Sequence, residues 1–199
     1  AVGRDSLKVN TTASYNVAVG RDSLKANTTG AQNTAVGRNS LDANTTGLEN
    51  VAIGNSALGA NTTAGYNTAV GATALYFNTT GASNVAVGFD SLKANTTADY
   101  NTAVGKNALY ANTTGEHTTA LGNGALKSNT TGNANVGIGS EALYTNTTGI
   151  RNTAVGTESL KVNTASYNVA SGYRALYANT TGAYNISVGS YSLLANTTG

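Results

Sequence analysis

Apolar and polar positions recur along this chain with a period of 17 residues. The triplet Ala-Val-Gly, or a close variant, begins at Ala1, Ala18, Ala35, Ala52, Ala69, Ala86, Ala103, Ala120, Gly137, Ala154, Ala170 and Ser187. One step, Ala154 to Ala170, is 16 residues, because Asn163-Thr164-Ala165 replaces the usual Asn-Thr-Thr-Gly or Asn-Thr-Thr-Ala. Turns absorb such losses, which places this segment in a turn. Three series hold one residue throughout: glycine from Gly3 to Gly189, leucine from Leu7 to Leu193, and asparagine from Asn10 to Asn196.

A fixed period of this length marks a repeat architecture in which each copy stacks on its neighbours. If a copy is one coil, equivalent residues stack at about 4.7–4.9 Å and form ladders along the axis. Alternation in Asn33-Thr34-Ala35-Val36-Gly37 predicts a short strand, with Thr34 and Val36 on one face and Ala35 and Gly37 on the other. Ser40-Leu41-Asp42-Ala43-Asn44 predicts a second strand with Leu41 and Ala43 facing one way. Asn44-Thr45-Thr46-Gly47 carries turn chemistry. No apolar 3.6-residue period supports a helix. The expected fold is all-β: a parallel β-solenoid of about twelve 17-residue coils over 1–199, with Val and Leu ladders inside and Asn-Thr-Thr-Gly turns on one edge. One Val and one Leu per coil make a thin core, so Asn stacks and inter-coil bonds must contribute, and packing against other chains is favoured. The small face of Ala35 and Gly37 would let another backbone approach.

Composition sharpens this picture. The chain has 24 Gly, no Cys, Pro, Met or Trp, a single His and 10% charged residues, a bias that comes from repetition. A net charge of +2 provides no field to recruit nucleic acid or an anionic membrane. No apolar run approaches the roughly 20 residues that cross a bilayer, and the start has no basic n-region with an apolar h-region. Ala1 and Gly199 both fall inside a copy, so the sequence reads as an excerpt of a longer array.

Enzyme parts are scarce. His117 occupies a variable turn position shared with Tyr15, Gln32, Glu49 and Ser83, where a solvated residue is expected. Gly122-Asn123-Gly124 and Gly137-Ile138-Gly139 do not complete a phosphate-binding fingerprint. Asp5, Asp22, Asp90, Glu141 and Glu158 share one turn position, but so do Asn39, Ser56, Thr73 and Arg174, which favours a solvated turn over a calcium ladder. No catalytic residue, metal ligand or cofactor is expected.

Two surface features stand out. The position after Leu reads Tyr76, Lys93, Tyr110, Lys127, Tyr144, Lys161, Tyr177, a candidate ligand or partner ladder able to make cation–π contacts. Asn-Thr-Thr recurs at Asn10, Asn27, Asn44, Asn61, Asn78, Asn95, Asn112, Asn129, Asn146, Asn179 and Asn196, each formally a glycosylation acceptor. The adjacent threonines point to opposite faces and leave single files, which disfavours ice binding.

Asn33-Thr34-Ala35-Val36-Gly37 with Ser40-Leu41, and Ala108-Leu109-Tyr110-Ala111-Asn112-Thr113-Thr114-Gly115, resemble the repeats of trimeric autotransporter adhesin heads. They are more similar still to the NTAVG…AL…NTTG arrays of bacterial and phage tail-fibre-like surface proteins. The resemblance covers the whole chain, although the adhesin heads use a shorter repeat. It implies a left-handed β-roll, three chains side by side, and a rigid extracellular spacer or adhesive surface on a cell or virion, without catalysis. Expected partners are further copies of the chain, as a homotrimer or filament, and host or environmental glycans. The alternatives are a rod that binds glycan or ice through its Tyr/Lys or Thr ladders, and a glycosylated single-chain or end-to-end filament.

Overall fold

In the computed structural model, which describes residues 1–199, the chain winds as a parallel β-solenoid. Eleven three-residue strands, from β1 (Val17–Val19) and β2 (Thr34–Val36) to β10 (Val169–Ser171) and β11 (Ile186–Val188), form one sheet in chain order. Neighbours pair in register: Val17 opposes Thr34, Ala18 opposes Ala35 and Val19 opposes Val36. Ahead of β1, Val2 bridges to Val19. The expected solenoid is therefore the fold, with one copy per coil.

The strand alternates as its sequence requires, but the faces are inverted from expectation. Ala35 is fully buried while Thr34 and Val36 are half-exposed, and the same holds along the sheet. Size is the reason. In the Ala series Gly137 stands once, and a Cβ there would come within 3.1 Å of Leu126 Cδ1. A methyl group already fills the space to the Leu ladder, so valine has no room inside and turns outward. The core is a ladder of Ala against a ladder of Leu. Nor does Gly37 clear space for another chain: its φ is 137°, and a Cβ would sit 2.4 Å from Gly54 O in the next coil. Glycine is required there by the chain's own stacking.

The second expected strand, Ser40 to Asn44, does not form. Asn39 and Leu41 have φ of 55° and 51°, in the left-handed region, so the backbone folds into a tight corner that buries both Ser40 and Leu41. The sequence carries a signal for this: the Leu series never switches to Val or Ile, which the left-handed region penalises most. Corners still bond from coil to coil, as in Leu41 N–H to Ala57 O at 3.0 Å. Of 124 backbone hydrogen bonds, only 20 join strand to strand, and the other 104 have at least one partner in a turn or corner, so cohesion extends well beyond the sheet.

The 16-residue coil keeps strand register, with Val169 opposite Thr153. The missing residue is absorbed in the Asn163-Thr164-Ala165 turn, as the sequence predicts, but one core hydrogen bond is lost there, as described below.

Candidate functional site

The Asn-Thr-Thr asparagines are interior groups. From Asn27 to Asn179, every member of the series is fully buried, Asn163 included; only Asn10 and Asn196 are part-exposed. Asn44 Nδ2 donates to Asn27 Oδ1 at 2.8 Å and to Gly47 O at 3.0 Å, which uses both amide hydrogens. Asn61, Asn78, Asn95, Asn112, Asn129, Asn146 and Asn179 repeat the arrangement. Attaching a sugar to any of these nitrogens requires the coil to open, so the acceptor motif here reflects ladder and turn chemistry. The ladder breaks once. Asn163, in the short coil, turns its Nδ2 to Ala165 O, and Asn146 Oδ1 is left buried without a partner.

A second asparagine ladder has a weaker sequence signal, because the Asn33 series is interrupted by Thr118. Asn33 Oδ1 accepts the Asn50 backbone N–H at 2.9 Å, and Asn33 Nδ2 donates to Gly47 O at 2.8 Å. The side chain thus satisfies both the turn and the strand entry of the following coil. Thr118 keeps the bond to Asn101 Oδ1 but offers no amide, and its hydroxyl turns to Glu116 O and Gly132 O.

The Tyr/Lys series does fall on one edge, half-buried rather than free. Each lysine reaches the tyrosine of the following coil: Lys93 Nζ lies 5.7 Å from the Tyr110 ring centroid, Lys127 5.4 Å from Tyr144 and Lys161 5.8 Å from Tyr177. Tyr76 packs edge-on against Phe77 and lies over Gly59. The acidic turn positions belong to this edge. Asp5, Asp22, Asp90 and Glu158 each pair with the lysine three residues on, Lys8, Lys25, Lys93 and Lys161. The densest cluster joins Glu141, Glu158, Lys161 and Arg174 over three successive copies, including the short coil. Hydrogen bonds from Lys161 and then Arg174 hold Glu158 below the usual carboxylate range, and Glu141 with Glu158 raises Lys161. Asp42 has no such partner, and burial raises it.

Two further surfaces face solvent. The outer face of the sheet is built only from Val, Thr, Ile, Leu and one Ser, without a charge on any of its eleven strands. It runs roughly 50 Å along the axis, with Ile53 40% and Leu121 46% exposed. The other surface is the corner that holds His117, where left-handed residues stack one per coil. His117 lies parallel on Tyr100 with centroids 5.1 Å apart, and Tyr167 lies on Tyr184 at 5.0 Å. His117 is exposed, as its turn position predicts. No protein family, curated protein or solved structure matches this chain in comparisons with all three.

Proposed function

We propose that this chain is a structural rod of an extracellular fibre or adhesive stalk on a cell or virion surface, assembled side by side as a homotrimer and without a catalytic role. The observation that carries the reading is the outer sheet face. An uncharged, part-apolar strip of this length is the kind of surface that monomers seldom leave open and that interfaces use. It also repeats itself at every coil, so identical chains can be matched along their whole length. A backbone bonded between coils beyond its sheet, with two buried asparagine ladders, supplies the stiffness that a spacer needs. The resemblance to adhesin-head and tail-fibre repeats favours the same role.

Charge on this face tests the proposal. Val70→Lys with Val104→Lys places two ammonium groups on outward strand positions that already contact solvent. The coil is expected to persist by circular dichroism while the oligomer falls to single chains. An assembly unchanged by the double substitution would remove this face from the interface.

A further inference from the structure

The corner file carries a different chemistry from the sheet. Its rungs read Tyr15, Gln32, Glu49, Tyr66, Ser83, Tyr100, His117, Ala134, Arg151, Tyr167 and Tyr184, all in the left-handed region. Backbone bonds hold successive rungs together: Ser83 N–H donates to Gly65 O at 3.3 Å and Tyr100 N–H to Ala82 O at 3.2 Å. Where adjacent rungs both hold rings, the rings stack nearly parallel, 6–7° apart. Ser83 is the one small rung with a tyrosine on each side. Tyr66 and Tyr100 are therefore separated by two rungs, roughly 10 Å at the strand spacing, with only a hydroxymethyl group between them. Both rings are open to solvent, at 57% and 58% exposure.

We infer that the Ser83 rung is a binding site for a neutral pyranose ring, seated between Tyr66 and Tyr100. A ring in this gap lies about as far from each wall as His117 lies from Tyr100, the 5.1 Å separation the corner already sustains. A pyranose presents C–H groups on its faces, which suit the electron-rich tyrosine faces, and hydroxyls on its rim. The floor is built for such a rim. Asp99 reaches back one coil, its Oδ1 accepting from Ala82 N–H at 2.6 Å, one residue from Ser83. Its Oδ2 has no hydrogen-bond partner in the chain and is free to accept a sugar hydroxyl. A carboxylate at this place disfavours an acidic sugar, and an aromatic ligand would leave it unmatched. One such shallow site binds weakly, and several chains in one fibre raise the avidity. This deepens the adhesive reading by naming its ligand class, and it rests on that reading only for its purpose.

The test is a titration of the intact chain with methyl β-glucopyranoside and methyl β-galactopyranoside, followed by aromatic NMR signals of Tyr66 and Tyr100. Saturable shifts in the millimolar range are expected for at least one glycoside. Ser83→Tyr fills the rung with a ring that five other coils already tolerate at this place, so the fold is retained and the shifts are expected to vanish. Tyr100→Ala is expected to weaken binding at least tenfold. No saturable shift with either glycoside, equal shifts in Ser83→Tyr, or a response to phenol alone would each overturn the inference. Sedimentation of the same samples reports assembly separately, so loss of sugar binding and loss of the fibre reading are told apart.

Discussion

Asn95 Nδ2 donates to Asn78 Oδ1 at 2.9 Å, and both side chains are fully buried. This relationship recurs through the core and explains why one residue type never varies in its series, since only an amide gives and accepts along the same line. Asn95→Ala leaves Asn78 Oδ1 and one Asn112 N–H without partners, while Ala98 O keeps the bond from Asn84 Nδ2. At about 1–3 kcal/mol for each buried group left unpaired, a loss of several kcal/mol is expected. Thermal unfolding followed by circular dichroism measures it; a change below about 1 kcal/mol would show that the ladder is dispensable.

The two interruptions should be repairable. Thr118→Asn supplies the missing amide of the second ladder, and a threonine inserted after Thr164 restores the Asn-Thr-Thr-Ala turn and the partner of Asn146 Oδ1. Each is expected to stabilise the rod by about 1 kcal/mol, and the effects should add because the sites are several coils apart. Unfolding midpoints of the two single variants and the double variant check both statements.

Leu109 sits at φ 49° in the left-handed corner. Leu109→Val places a β-branched residue there and should cost about 1–3 kcal/mol in backbone strain on top of the lost methylene. Leu109→Met, unbranched at Cβ, should stay within about 1.5 kcal/mol of the parent. Equal stability for the two variants would contradict the account of the invariant Leu series.

These cases also mark what the sequence makes legible. The period, the solenoid, the asparagine ladder and the site of the deletion are all readable, because recurrence and turn chemistry are local properties. The direction of Val36 is not, since period-two alternation defines two faces without saying which is inside. That choice is set by the width of the coil, where Ala and Leu already touch. Ser40 to Asn44 reads as a strand because its alternation is real; the left-handed Leu41 was legible only in the absence of Val and Ile from its series. The Tyr110 edge is a sequence pattern, whereas the gap at Ser83 depends on the spacing and stacking of rungs from separate coils.

Acid should weaken the short coil. Glu158 is held below the ordinary glutamate value by Lys161 and then Arg174, so its stabilising share is complete above the unfolded pKa of about 4.3 and is lost as pH falls through the lowered folded value. The stability gap between the parent chain and Glu158→Gln should be constant from about pH 7 to about pH 5 and shrink below about pH 4. Melting temperatures across this range decide it, and a gap that widens in acid would reverse the sign.

The most direct test of the central claim is the mass of the native particle by native mass spectrometry, measured before and after enzymatic deglycosylation. The account predicts three times the chain mass of 19.9 kDa, with no mass removed by deglycosylation at the acceptors from Asn27 to Asn179, whose nitrogens are enclosed in the coil. A particle of one chain, or excess mass lost on deglycosylation, would contradict the assembly and make the turns the working surface instead.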